Sequence, residues 1–311
     1  MKFMAMLLSL AVISVTTVSC NREDDDSSDT PSVGGFDANG ASLAVFSVGE
    51  NKTVRFSKGN LQYTTTGSHT VATGGSAPGT WRFAEHQYDY IGTDNENISN
   101  SYTGWIDLFG WATSGWNSGA TYYQPWDTIR NKYGYGPRES GSFDLTGDYA
   151  NADWGVYNAI SNGGNQPGMW RTLTSEEWDY LLERRAASTV CGRDNARSRQ
   201  CTVCFVNGII ILPDNFTMPK GVPDLFGTFN GYDLNYSEDQ WSKLEAAGAI
   251  FLPDHGERYG TNYRSNQSGY WLASGYSSSY ETNASYTDVI SSTLPGYRNE
   301  GHYVRLVKDC Q

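Results

Sequence analysis

Positive charge is scarce in this chain: 22 Lys and Arg stand against 34 Asp and Glu, leaving a formal net charge of -12 over 311 residues. Phosphate backbones are held by clustered basic side chains, so nucleic-acid binding is excluded as a function class. Long apolar runs are also missing. The longest, residues 3–15, falls short of the roughly 20 residues a membrane-spanning helix needs. Histidine is limited to His69, His86, His255 and His302, and none has an identifiable nucleophile partner. The adjacent acids Glu176 and Glu177 sit in a helix-capping turn with a structural job, which leaves no catalytic residue to name. Cysteine is sparse too. Cys201 and Cys204 lack the second Cys or His pair that zinc requires, so neither a metal nor a cofactor is expected.

Glycine and aromatic rings are abundant, with 34 Gly, 21 Tyr and 10 Trp, a composition common among exported, loop-rich proteins. The N-terminus agrees. Lys2 followed by the short apolar run reads as a signal peptide over residues 1–19. Thr17-Val18-Ser19-Cys20 resembles a bacterial lipobox, which implies cleavage before Cys20 and attachment of acyl chains such as palmitate to it. Plain secretion with an incidental cysteine is the alternative. Residues 20–40, led by Glu23-Asp24-Asp25-Asp26, are too polar and too densely like-charged to collapse and are expected to form a disordered tether. Acids directly behind a lipidated cysteine resemble the signal that sends some lipoproteins to the outer face of the outer membrane.

A folded domain is expected over residues 41–311. Residues 44–48 and 53–57 predict a hairpin that Leu61-Gln62-Tyr63 continues, whereas the Gly/Ser/Thr stretch 64–80 predicts a long loop before Trp81-Arg82-Phe83. Residues 88–165 show little periodicity. Trp105, Trp111, Trp116, Trp126 and Trp154 are expected to hold irregular chain together by burial, the alternative being an exposed platform for a sugar. Asp144, Asp148 and Asp153 lack the alternating ligand spacing of a hand-type calcium loop.

Two capping boxes follow. Thr174 and Glu177 open a helix whose apolar face carries Trp178, Leu181 and Leu182, with Arg184 and Arg185 in its last turn. Ser237 and Gln240 open a second, with Trp241, Leu244 and Ala247 facing inward and Gly248 ending it. Between them, residues 186–200 read as loop and 201–214 as two strands about an Asn207-Gly208 turn. Residues 249–254, 269–274 and 302–309 read as strands. Cys191, Cys201, Cys204 and Cys310 allow three disulfide pairings, and the sequence does not choose among them.

Residues 171–178, Arg-Thr-Leu-Thr-Ser-Glu-Glu-Trp, resemble the Arg-Leu-Pro-Thr-x-x-Glu-Trp element of the C-type-lectin-like and formylglycine-generating-enzyme superfamily, with Thr172-Leu173 standing where that element has Leu-Pro. Phe251-Leu252-Pro253, Gly269-Tyr270-Trp271 and Val304-Arg305-Leu306-Val307 resemble more closely the Fibrobacter-type major paralogous domain found on bacterial surfaces. The resemblance implies an α+β, C-type-lectin-like fold: two main helices, a hairpin-rich antiparallel sheet, long aromatic-rich loops, and first and last strands side by side. It does not carry the enzymes' chemistry, because Cys201 and Cys204 do not correspond to their late reactive cysteine pair. Calcium-dependent sugar binding is unsupported as well, since Glu-Pro-Asn, Gln-Pro-Asp and Trp-Asn-Asp are all absent.

One segment has the composition of a recognition surface. Residues 276–288 and 291–299 mix Tyr, Ser, Asn and Asp, the residues with which binding loops combine rigid rings and adaptable hydrogen bonds. They also resemble the segment rewritten by diversity-generating retroelements in lectin-fold proteins. Tyr276, Ser278, Tyr280, Asn283, Tyr286, Asp288, Tyr297 and Asn299 are the candidate ligand contacts, an ordinary pair of polar loops being the plainer reading. The function expected is a non-catalytic surface lipoprotein binding an unidentified protein or glycan. The alternatives are an enzyme of the formylglycine-generating-like superfamily, a glycan-acting hydrolase, or a structural surface component.

Overall fold

The computed structural model describes residues 34–99, 101–116, 144–185, 197–227, 231–265, 268–275, 283–287 and 293–310. The fold is α+β, dominated by short strands in open antiparallel sheets with a few short helices. β1 (Phe46–Gly49) and β2 (Lys52–Phe56) form the expected hairpin, and their inward residues Phe46, Val54 and Phe56 are fully buried. The chain packs earlier than the sequence suggests. Phe36 lies against the core and Asp37 pairs with Arg55 at 2.9 Å, so residues 34–40, read as tether, belong to the fold.

The stretch 64–80 is not a loop. β3 (Leu61–Thr70) and β4 (Ser76–Phe83) form a long hairpin, with Tyr63 opposite Trp81 and Thr64 opposite Thr80. Glycines and threonines hid it because half its length is a solvated two-stranded ribbon with no apolar alternation to read. Farther along come α1 (Trp154–Tyr157) and α2 (Ser175–Asp179), the latter opened by the predicted capping box and continued by a π-turn over Tyr180–Arg184. Trp178 and Leu181 are buried as the spacing required. Arg185 departs from expectation. Instead of facing solvent at the helix end it is 2 % exposed, bonding the Leu212 carbonyl and Asp214 at 3.0 Å.

β5 (Ser198–Val203) and β6 (Val206–Ile211) pair with Cys201 opposite Gly208 and Thr202 opposite Asn207. Asn207-Gly208 therefore lies within a strand, and the turn is Cys204-Phe205. Packing explains why: a side chain at position 208 would come within 2.3 Å of the Phe251 ring, so Gly208 serves close sheet packing and not a turn. β7 (Asn235–Tyr236) adds a parallel neighbour to β5, α3 (Glu238–Ala246) follows its capping box, and β8 (Ile250–Pro253) completes the sheet in the order β7-β5-β6-β8.

The remaining strands are β9 (Glu257–Tyr259), β10 (Asn262–Arg264), β11 (Tyr270–Gly275), β12 (Asn283–Thr287), β13 (Thr293–Tyr297), β14 (Glu300–Gly301) and β15 (Val307–Asp309). The strand expected over 302–309 is thus short, its earlier part making only isolated bridges such as Phe109 to His302 and Tyr270 to Tyr303. β15 pairs with β2, Val307 opposite Phe56, which brings the two ends of the domain together. Arg171 locks this closure: it grips Glu177 with two nitrogens at 2.7 and 2.8 Å and Asp309 at 2.6 Å, while Lys52 reaches Glu177 at 2.6 Å.

Aromatic rings fill the space between the sheets. Trp81, Trp111, Trp154, Trp170 and Trp271 are almost wholly buried, with Tyr63–Trp81 and Phe83–Trp170 centroids 4.6 and 4.8 Å apart. Indole donors fasten irregular chain to this core: Trp111 bonds the Leu272 carbonyl at 2.8 Å and Trp170 that of Gly163 at 2.7 Å. Burial, not a sugar platform, is the role of Trp111 and Trp154. Trp126 lies outside the described residues.

Candidate functional site

The C-terminal sheet in the order β11-β12-β13 carries the tyrosine-rich segment. β11 is its root: Tyr270, Trp271, Leu272, Ala273 and Ser274 are all buried, as befits an apolar strand covered on both faces. Its far end is pinned from several directions. The Gly275 amide donates to Asp144 at 2.8 Å, the Ser274 hydroxyl oxygen accepts from the Ser175 amide at 2.9 Å, and Gly275 lies opposite Ala284 of β12. Helix α2, seated on its capping box, packs against all three strands.

The candidate contacts divide by position. Cys20, Tyr276, Ser278, Tyr280 and Asp288 lie outside the described residues. Asn283 opens β12 directly opposite Tyr297 of β13, and Tyr286 lies opposite both Leu294 and Trp271. Residues 283–287 and 293–297 are therefore strands, where a pair of polar loops was the plainer expectation. Tyr297 is half-buried, and its amide donates to Glu300 at 2.9 Å. Asn299 is 6 % exposed and offers little surface to a ligand; Arg298 beside it is also buried, over the Trp111 ring at 4.9 Å.

Titratable groups elsewhere serve the fold. Burial pushes Asp153 up to about 6 against hydrogen bonds from the Thr172 and Gly155 amides; it caps α1 and is not placed as a calcium ligand. Burial likewise pushes Asp107 up to about 7, opposed by hydrogen bonds from Asn95 and the Ile91 amide. His69 sits with Nδ1 2.9 Å from the Gly79 carbonyl and Nε2 2.8 Å from Asn158 Oδ1, a clamp between the β3–β4 hairpin and α1. Among the described residues no three His, Cys, Asp or Glu side chains gather as metal ligands, and Cys201, Cys204 and Cys310 are free thiols.

A second surface has no signature in the sequence. His86 and Tyr88 stack with their rings 5.1 Å apart and 7° from parallel, beside the inward face of α3 at Trp241. Glu85, Glu238 and Glu245 line the same cleft of ≈ 140 Å³, and Lys58 pairs loosely with Glu85 at 3.6 Å. Tyr88 packs against the same apolar cluster as Cys204 of the β5–β6 turn; burial first, then Cys204, Glu238 and Asp89, push its phenol up to about 12. The signal was spread across the chain: residues 85–88 and α3 lie at least 150 positions apart, as the bond from Gln87 to Glu245 across 158 residues illustrates.

In comparisons with known proteins, the chain matches no family model, no curated protein and no solved structure.

Proposed function

We propose that the chain is a surface-anchored, non-catalytic binding or adhesion lipoprotein of the outer membrane, with a C-type-lectin-like scaffold of the Fibrobacter-type major paralogous kind. The observation that carries this reading is the bracing of the β11 terminus by Asp144, Ser175 and the Gly275–Ala284 pairing. A variable contact segment needs such a base, because ordering a loose loop on binding costs affinity that a fixed base conserves. The joining of β2 to β15, the two capped helices and the strand-rich architecture support the scaffold assignment. Acylation of Cys20 supplies the anchor, and the acidic residues behind it the export address.

The test is a screen of the purified chain against glycans and host proteins, followed by Ala replacement of Tyr276, Tyr280 and Tyr286 together. The expected result is a loss of at least about tenfold in affinity, roughly 1.4 kcal/mol, with the melting temperature nearly unchanged. Large unfolding of the triple variant would assign those rings to the core and remove the proposed contact surface. Labelling of Cys20→Ser cells with radioactive palmitate tests the anchor separately, and label retained in that variant contradicts it.

A further inference from the structure

Phe205 is 89 % exposed, a large apolar ring at the tip of a two-residue turn. Both turn residues adopt left-handed backbone, Cys204 at φ 49° and Phe205 at φ 67°, in the arrangement that usually selects Asn and Gly. A bulky side chain at positive φ is disfavoured, and such conformations persist where the surroundings hold them. The surroundings hold this one: the Cys204 amide donates to the Tyr236 carbonyl at 2.9 Å, two residues before Glu238 of the cleft, and Cys204 and Tyr88 pack against the same apolar cluster. The apolar tip thus stands beside the end of the cleft that Glu238 lines, its own amide donating to Asn235.

Its charge is one-sided. Glu85, Glu238 and Glu245 line the cleft and Asp89 lies beside His86, against the single lysine Lys58. Glu238 stands in the first turn of α3. A volume of ≈ 140 Å³ is well under the roughly 300–1,000 Å³ of pockets that enclose free small molecules, and suits one inserted side chain. Carboxylates around an aromatic stack favour a cation with an apolar stem.

We propose that the Phe205 tip and the His86–Tyr88–Trp241 cleft form a docking surface for a basic segment of a partner polypeptide. A Lys or Arg side chain enters the cleft between the rings and the carboxylates, and an apolar neighbour covers Phe205. This surface is separate from the tyrosine-rich segment, so it stands or falls independently of the proposed ligand contacts there.

Titration calorimetry on the purified chain tests it with three probes: a blocked Leu-Arg-Leu-Arg peptide, its Leu-Glu-Leu-Glu counterpart, and agmatine. The arginine peptide is expected to bind, the glutamate peptide not to bind, and agmatine to bind at least about tenfold more weakly because it leaves Phe205 uncovered. Phe205→Gly is the decisive variant. It relieves the left-handed strain, so the melting temperature should rise while affinity for the arginine peptide falls about tenfold. Glu85→Gln with Glu238→Gln should weaken the same peptide about tenfold, and raising the salt should weaken it in the native chain. Absence of binding, equal binding of both peptides, agmatine binding as tightly as the peptide, or a Phe205→Gly chain that binds normally or melts lower would each overturn the proposal.

Discussion

Asp107 and Asp153 are carboxyls that burial holds above their ordinary range, at about 7 and about 6, despite hydrogen bonds that favour their charged forms. A carboxyl raised on folding contributes stability that is complete below its unfolded value near 4 and is lost as pH rises through its folded value. Glu177 and Asp309 have the opposite sign. Burial opposes the charge of Glu177, but hydrogen bonds from Arg171 and Lys52 outweigh it; for Asp309 the hydrogen bond from Arg171 leads. Their contribution is present above pH 4 and disappears in acid. Urea unfolding should therefore show greatest stability near pH 4, falling as pH rises by up to about 1.4 kcal/mol per pH unit for each raised group, from about pH 4 to about 6 for Asp153 and to about 7 for Asp107. Asp107→Asn should remove its share of that slope, at a pH-independent cost of about 1–3 kcal/mol for one mismatched donor. An unchanged slope would place the titration elsewhere. Glu177→Gln tests the closing network: losing the double grip of Arg171 should cost about 2–3 kcal/mol, less than a fully buried pair because Arg171 keeps some solvent contact. A loss under about 0.5 kcal/mol would make the network ornamental.

At the scale of elements, the sequence was most readable where short-range chemistry decides. Thr174 with Glu177 and Ser237 with Gln240 both form complete capping boxes, because a cap depends on residues three apart and little else. It was misread where a distant neighbour decides. Asn207-Gly208 has the best local turn chemistry in the chain, yet Phe251 from β8 needs the space at Gly208 and moves the turn to Cys204-Phe205. Gly208→Ala should accordingly destabilise by about 1–3 kcal/mol through overpacking, measured by thermal or urea unfolding. A neutral effect would return Gly208 to the role of an unconstrained strand residue. The β3–β4 hairpin was missed for the same kind of reason. What holds its outer half is the His69 clamp to Asn158, 89 residues away.

At the scale of the whole molecule, tryptophans do among the described residues what long helices and regular sheets do in other folds, burying area at the centre. The burial of Trp111 and Trp154 was legible, whereas Trp105 and Trp116 are only half-buried. The partners of the buried rings were not legible, since Trp111 with Leu272 and Trp271 with Phe109 join residues about 160 apart. The pairing of residues 283–287 with 293–297 as strands was hidden by their polar composition. The pinning of Gly275 by Asp144 was not legible, and neither was the cleft beside α3. The proposed outward display of the tyrosine-rich segment is tested most directly by hydroxyl-radical footprinting of the intact chain, with the fully buried Tyr270 and Tyr303 as internal standards. Tyr276 and Tyr280 should be oxidised at the rate of freely exposed tyrosine while Tyr270 and Tyr303 stay protected. Protection of Tyr276 and Tyr280 to the level of Tyr270 would contradict a displayed binding segment.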